Sequence, residues 1–359
     1  MRYIRTKNNK THLKPNKTRI FHILTKRQII VSTIKTIIMM RISKYIIAAM
    51  LCCANAVAAE TFVPLKYGDM DSWITRNIPE SGIIGGNTKV LYEIGPTQTI
   101  NGAKAYTNLG GSPWATSNVY ARVAGINKGS NAVFPEARTG HGKCCKLTTM
   151  IERCKAIGII NIDVLVGGTV FLGKMIEPIK STSDPYSKME MGVPFTKRPK
   201  AVRYDYKLSM PKDNTRTYSS GFGKKKTLPG HDNSEIFVLL QRRWEDAEGN
   251  IYAKRVGTGR ERYGSTTDGW VNGHDLAIHY GDITKEPFYK SYMGLINGEK
   301  CYYARNSKGD MVPVKEVGWD SPDATPTHMI FMASAASGEA YIGTPGLTLW
   351  IDNVGMVYD

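Results

Sequence analysis

The clearest pattern of hydrophobic and polar positions runs from Ala201 to Met210. Charged or small polar residues alternate there with a set of apolar and aromatic ones: Val202, Tyr204, Tyr206, Leu208 and Met210. Because successive side chains of a strand point to opposite faces, this alternation predicts a half-buried β-strand. Pro211 follows it and ends the pattern, since proline lacks the amide donor that a strand ladder needs.

Similar short runs, separated by turn residues, recur through the rest of the chain. Glu235 to Arg242 and Ile251 to Val256 flank Glu248-Gly249-Asn250 and predict a hairpin. Asn297-Gly298 and Ser307 to Asp310 predict two more turns of this kind. Further strands are predicted at Thr169–Leu172, Met329–Ala333 and Leu347–Tyr358, and only Thr148–Lys155 has helical character. With 35 glycines and 17 prolines, the chain is predicted to be all-β.

The last predicted strand changes its apolar face partway along. Up to Ile351 the apolar residues share one parity, and from Val354 onward they share the other. One extra residue at Asp352-Asn353 would produce this switch, because it shifts the register of everything after it. The sequence therefore predicts a β-bulge there that turns the Asp352 carboxylate inward.

The charge of the chain is concentrated at its beginning. Of the formal net charge of +17, residues 1–59 supply 12 basic and no acidic side chains. The remaining residues hold 36 basic against 31 acidic side chains, which argues against a nucleic-acid partner.

The same region contains a predicted export signal. Residues 40–59 combine a short basic segment, the apolar run Tyr45 to Cys53 and small residues up to Ala59. This is typical of a secretory signal peptide and is too short for a membrane span. Residues 1–39 then lie upstream of a start at Met39 or Met40. We expect them to be a non-structured basic extension or to come from an over-long gene model. We expect one β-sandwich domain over 60–359, exported to the periplasm or cell surface.

Cysteines and histidines give weak signals. The cysteines after the signal peptide are Cys144, Cys145, Cys154 and Cys301. An exported protein permits disulfides, but adjacent cysteines form a poor bridge, so we expect buried free thiols ahead of a disulfide. His274 and His279 lack the clustering that a metal site needs, and we expect structural or surface roles for them.

Two groups of motifs resemble a known family. The first group consists of Gly192 to Phe195, Arg198-Pro199 and Tyr204-x-Tyr206-Lys207. The second group lies between Ile330 and Val354 and includes Gly346 to Asn353. Together they resemble the putative carbohydrate metabolism domain (PCMD) of secreted Bacteroidetes proteins. The resemblance implies a jelly-roll sandwich like the galactose-binding modules and a role in polysaccharide use. It also implies a structural calcium ion near the last strand, with Asp352 as ligand; the alternative is an Asp352 carboxylate bonded to backbone amides.

The expected chemistry is non-covalent recognition of a glycan. Aromatic faces stack on sugar rings while polar groups fix the hydroxyls. The predicted ligand-binding residues Trp114, Trp270 and Trp319 all lie beside glycine or proline, whereas Trp350 lies in the last strand and is expected to serve folding. The alternatives are a glycoside hydrolase with an unidentified carboxylate pair, to which Glu190, Asp205, Asp232 and Glu235 are candidates, and a structural or adhesive surface protein.

Overall fold

The computed structural model describes residues 27–28, 30–42, 60–156, 160–212, 215–221, 223–298, 301–337 and 339–359. The chain divides into two compact units, Met1–Ala59 and Glu60–Asp359. In the first unit residues 27–28 and 30–42 are helical, so the described part of residues 1–39 differs from the non-structured extension expected there. Within the described ranges no helix has the length and apolar character needed to cross a membrane. The apolar run and cleavage region of the predicted signal peptide lie outside the described residues, so that signal remains a prediction.

The second unit is built from strands, which confirms the all-β prediction. In chain order they are β1 (Thr61–Pro64), β2 (Trp73–Pro79), β3 (Thr88–Ile94), β4 (Gln98–Asn101), β5 (Trp114–Thr116), β6 (Val119–Val123), β7 (Ile126–Ser130), β8 (Val133–Ala137), β9 (Lys143–Thr148), β10 (Met150–Ala156), β11 (Ile160–Val166), β12 (Thr169–Met175), β13 (Met189–Met191), β14 (Val193–Pro194), β15 (Ala201–Ser209), β16 (Thr215–Tyr218), β17 (Lys226–Pro229), β18 (Ser234–Glu245), β19 (Ile251–Tyr263), β20 (Val271–Ala277), β21 (His279–Tyr280), β22 (Tyr303–Arg305), β23 (Met311–Trp319), β24 (His328–Ser334), β25 (Ile342–Gly343) and β26 (Thr348–Tyr358). Short 3₁₀ helices span Gly82–Ile84, Pro185–Lys188 and Ser291–Met293.

Two large sheets form the body of this unit. One has six strands in the order β20-β15-β26-β9-β8, with β1 paired to β26. The other has ten strands, and the additional pairing of β12 with β24 closes seven of them into a barrel-like ring. One buried cluster draws residues from both sheets, among them Tyr204 and Ile351 from the first and Val238 and Phe331 from the second. The two sheets therefore pack face to face.

The closed ring has an interior of its own. Alternate residues of β18, such as Phe237 and Leu239, leave the shared core and join a second buried cluster. Deeper in the ring the fully buried Arg255 forms an ion pair with Glu316. Gln241 Nε2 donates to the same carboxylate at 2.6 Å, which satisfies the pair away from water.

The strand predictions hold best where alternation is strong. The alternating Ala201–Met210 segment is β15, and the hairpins β18–β19 and β22–β23 form as predicted. The helical character expected over Thr148–Lys155 is wrong, because β9 and β10 occupy it and β10 pairs with β11. The hairpin expected at Asn297-Gly298 is also wrong on its first side, where Ser291–Met293 is a 3₁₀ helix.

The bulge predicted in the last strand is confirmed, but Asp352 does not turn toward the shared core: it shares the outer face with Trp350 and is buried there against Arg138. β15 and β26 shift register between Arg203, which pairs with Gly355, and Asp205, which pairs with Asp352. Asn353 lies in the extra stretch with a φ of 52°, a left-handed conformation that asparagine tolerates better than most residues. The shift returns the apolar residues after it to the shared core, as their parity requires.

The four cysteines of the second unit are free thiols, as expected, and three of them are buried. Cys144, Cys145 and Cys301 are buried and Cys154 is partly exposed. Burial raises the pKa of the Cys144 thiol to about 11, so it stays protonated at neutral pH.

Candidate functional site

The outer face of the six-stranded sheet carries two tryptophans with a lysine between them. β8, β9, β26 and β15 lie side by side, and their register aligns Phe134, Lys146, Trp350 and Lys207 in one row. These positions alternate with core residues such as Leu349 and Ile351, so they face outward. Trp270 joins the row from the segment just before β20, because Lys207 Nζ lies 5.6 Å from its ring centroid.

We call Trp270, Trp350, Lys207, Lys146 and Glu136 the tryptophan face. Trp350 Nε1 donates to Glu136 Oε1 at 2.7 Å, and Lys146 Nζ donates to Glu136 Oε2 at 2.8 Å. Burial opposes ionisation of Glu136, but the hydrogen bonds from Lys146 and Trp350 outweigh it and lower its pKa. Trp350 is therefore fixed in orientation by an ionised carboxylate.

Lys207 is held differently from the other charged residues of this face. Its Nζ lies 4.1 Å from the Trp350 ring centroid, close enough for a cation–π interaction. The side chain is half-buried. Among the described residues it has no ion pair and no hydrogen bond to its ammonium group, whereas Lys146 is paired with Glu136.

A buried ionic cluster lies against Trp270. Arg138 Nη1 donates to Asp205 Oδ2 at 2.8 Å and to Asp352 Oδ2 at 2.6 Å, and Nη2 donates to Asn272 Oδ1 at 2.6 Å. The guanidinium carbon is 3.9 Å from the Trp270 ring centroid, so the arginine supports one face of that indole. All three charged side chains are buried. We call Arg138, Asp205, Asp352 and Asn272 the basal cluster.

The two carboxylates of the basal cluster titrate differently. Burial raises the pKa of Asp352 to about 6, although Arg138 and the Asn353 amide oppose it. Burial also disfavours the charged form of Asp205, but hydrogen bonds from Asn353, Gly273 and Arg138 outweigh it and lower its pKa. One carboxyl group of the pair is therefore more readily protonated than the other.

The structure separates the predicted ligand-binding tryptophans. Trp270 lies on the tryptophan face with a half-buried ring. The expected loop position of Trp114 is wrong. This residue begins β5, is 0% exposed and donates from Nε1 to the Lys66 carbonyl at 2.8 Å. Trp319 ends β23 in the other large sheet, 5.6 Å from the guanidinium carbon of the buried Arg255.

Asp352 is neutralised by a guanidinium in this structure. Its Oδ2 accepts from Arg138, and its Oδ1 accepts the Asn353 backbone amide at 2.8 Å. One of these contacts, the Asn353 amide, matches the backbone-bonded alternative, but the ion pair with Arg138 was part of neither expectation. Calcium binding at Asp352 stays a prediction. Within the described ranges no group of histidine, cysteine and acidic side chains is arranged to hold a metal ion.

Sequence reasoning missed the other members of the face. Trp350 was expected to serve folding, yet its half-buried ring faces outward. The available signal was parity, since Trp350 alternates with the apolar Leu349 and Ile351, and Lys207 with Tyr206 and Leu208. The partnership of the two strands could not be read from that signal.

A second aromatic and acidic cluster lies near the edge strand β20. Tyr263 Oη donates to Glu261 Oε2 at 2.6 Å, and the same oxygen is 2.8 Å from His274 Nε2. The Tyr206 ring is 4.7 Å from the Tyr263 ring. His274 therefore has a carboxylate partner, consistent with the structural role expected for it.

A third aromatic feature is exposed on the β18–β19 hairpin. Trp244 is 41% exposed and stacks on Tyr252, with 5.9 Å between the ring centroids. The two residues face each other across the hairpin in register. Among the described residues no lysine lies over either ring, so this pair offers a comparison for the tryptophan face.

Comparisons with known proteins point to carbohydrates. The family model described as "Putative carbohydrate metabolism domain" matches residues 91–267, which include Arg138, Lys146, Asp205 and Lys207. None of the curated proteins matches the chain.

Two solved structures are similar to this chain, and both are described as crystal structures of a putative glycoside hydrolase. The one from Bacteroides thetaiotaomicron is 16% identical, with a TM-score of 0.40, covering 77% of this chain and 76% of the other. The one from Bacteroides vulgatus is 13% identical, with a TM-score of 0.38, covering 83% of this chain and 95% of the other. These likenesses are too weak to transfer an activity.

Proposed function

Because residues 91–267 of this chain belong to the putative carbohydrate metabolism domain family, we propose that the protein binds a polysaccharide or oligosaccharide on the tryptophan face. The observation that carries the proposal is the placement of Trp270 and Trp350 on one outer sheet face, with Lys207 between them. Indole rings supply flat apolar surface for sugar stacking, and the lysines and Glu136 supply hydrogen-bonding groups.

We also propose a cellular location and a sheet arrangement for this protein. The predicted signal peptide supports export to the periplasm or cell surface. The shared core of the two large sheets supports a jelly-roll sandwich, in which an outer sheet face is available to a long ligand.

Removal of either indole tests the proposal. A central interface tryptophan changed to alanine costs on the order of 2 kcal/mol or more, which is roughly a thirtyfold loss of affinity. Trp270→Ala and Trp350→Ala should each show such a loss on a glycan array or affinity gel. Their thermal unfolding, compared with that of the parent, separates lost contacts from lost folding.

Trp244→Ala is the matched control, because it removes an exposed indole from the other large sheet. It should bind like the parent. If Trp244→Ala abolishes binding while the other two variants retain it, the binding surface is the hairpin and the assignment is wrong. If the parent binds no glycan at all, the structural or adhesive alternative takes its place.

One observation favours hydrolysis as a second candidate function. Asp205 and Asp352 accept hydrogen bonds from the same Arg138 nitrogen. The distance between the two accepting oxygens therefore cannot exceed the sum of the two hydrogen-bond lengths. That is compatible with the carboxyl spacing of about 5–5.5 Å in retaining glycosidases. Their pKa values are also shifted in opposite directions, as an acid and its partner carboxylate require.

Burial counts against this second candidate, since Asp352 is only 1% exposed. Incubation of the parent with each bound glycan, followed by product analysis, decides the matter. Shortened sugars released by the parent and not by Asp352→Asn or Asp205→Asn would make the protein a hydrolase. Unchanged glycans would leave it a binding protein.

A further inference from the structure

Lys207 is the unpaired cation of the tryptophan face. Each nearby carboxylate already has a basic partner: Glu136 binds Lys146, while Asp205 and Asp352 bind Arg138. Arg203, two residues before Asp205, is paired with Asp275. Within the part of the chain that the structure describes, Lys207 alone among these basic residues forms no ion pair, although its charge helps to lower the pKa of Glu136.

An unpaired, half-buried ammonium group is unfavourable unless something compensates for its lost hydration. The indole rings, whose centroids lie 4.1 and 5.6 Å from Nζ, compensate in part through cation–π contacts. Among the described residues no side chain or carbonyl accepts a hydrogen bond from the three N–H groups of this ammonium. An incoming anion would supply that acceptor.

The position of this ammonium group restricts the kind of ligand that can carry the anion. Sugar rings that stack on Trp270 or Trp350 would bring their ring substituents next to Lys207 Nζ. A carboxylate at C6 of such a ring, or a sulfate ester on it, would then form a charge-assisted hydrogen bond. A hydroxyl group would gain less there, because it carries no charge.

We propose that the tryptophan face selects an acidic glycan, and that Lys207 binds the carboxylate or sulfate of a sugar stacked on Trp270 or Trp350. This inference rests on the proposed glycan-binding function and adds the class of ligand. Lys207 then determines specificity and the two indoles supply general affinity.

Matched polymers test the charge directly. Polygalacturonate and hyaluronan are each compared with their carboxyl-reduced forms, and a sulfated galactan with its desulfated form, at constant salt. The parent should bind at least one charged polymer about tenfold or more tightly than its neutral counterpart, the range expected for a hydrogen bond to a charged group. The preference should shrink as salt is raised.

Variants at one position then assign the preference. Lys207→Met keeps the aliphatic stem that covers Trp350 but removes the charge, so it should bind the charged and neutral polymers alike. Lys207→Arg keeps the charge and should retain most of the preference. Thermal unfolding confirms that both variants fold.

The outcomes separate the two proposals. Equal binding of charged and neutral polymers by the parent, with Trp350→Ala abolishing both, would overturn the acidic ligand and leave the tryptophan face standing. A charge preference that survives in Lys207→Met would overturn the role of Lys207. Binding of none of the polymers or the wider glycan array by the parent would overturn glycan binding itself.

Discussion

Arg138→Met is the change that tests the basal cluster most sharply. The substitution removes the guanidinium that Asp205 and Asp352 share while keeping an unbranched apolar side chain against Trp270. Both carboxylates are buried in register on neighbouring strands, so they would face each other without a counter-ion. Breaking a buried ion pair on one side costs about 3–5 kcal/mol, because the remaining charge stays desolvated.

The pH dependence of this loss identifies its cause. Without Arg138, burial and mutual repulsion raise the pKa of both native carboxyl groups above the unfolded value. The native state then holds more protons than the unfolded state, so stability rises as pH falls from 7 toward 4. Of these two carboxyl groups in the parent, Asp352 has a pKa raised to about 6, whereas the pKa of Asp205 is lowered. The stability gap between parent and variant should therefore narrow on acidification.

Urea unfolding of both proteins between pH 4 and 8 measures this gap. The triple variant Arg138→Met, Asp205→Asn, Asp352→Asn is the control, since it removes the charges together with their partner. At pH 7 the triple variant should recover much of the free energy of unfolding that Arg138→Met loses. It should also lack the rise in stability on acidification that the two carboxyl groups cause in Arg138→Met. A gap below about 1 kcal/mol at pH 7, or one that does not change with pH, would refute the electrostatic account.

Three further predictions follow from other parts of the molecule. Trp114→Ala should lower the free energy of unfolding by about 3–5 kcal/mol, because it empties a fully buried site; urea unfolding measures it. Glu316→Gln should destabilise the closed ring by about 3–5 kcal/mol, since it leaves Arg255 charged and buried, and the same assay against a double variant with Arg255→Met checks it. Because a guanidinium already neutralises Asp352, neither EDTA nor added calcium should shift the melting temperature, and a clear shift would restore the metal site.

The strands that could be predicted from the sequence are those whose alternating apolar residues are part of the shared core. β15 has one face in the shared core, which fixes its period, and β18 contributes alternate residues to that core although its other face is buried as well. The bulge in β26 appears in the sequence as a parity switch. Where contacts with another segment determine the local structure, the sequence pattern predicted that structure wrongly. Met150–Ala156 is a strand because it pairs with Ile160–Val166. At Asn297-Gly298 the chain is instead bound by a buried side chain: the Ile296 amide donates to Glu316 Oε2 at 2.7 Å.

Trp114 shows why turn residues were a poor guide to exposure. The run Gly110 to Pro113 does precede it, but the tryptophan itself pairs with Leu172 in the large sheet. Its Nε1 finds an acceptor in the Lys66 carbonyl, so the ring can be buried without leaving a polar atom unsatisfied. Neighbouring glycines permit a tight turn of the backbone but do not determine which side of a sheet the next side chain faces.

The tryptophan face depends on a register that no local pattern contains. Lys207 and Trp350 are far apart in sequence and meet because β15 pairs antiparallel with β26. The bulge at Asn353 serves both ends of that strand: before it Trp350 and Asp352 face outward, and after it Val354 and Met356 return to the core. Asn353 Nδ2 also donates to Asp205 at 2.8 Å, which ties the bulge to the basal cluster supporting Trp270. One irregular residue thus lets a single strand build the core and hold the aromatic face in position.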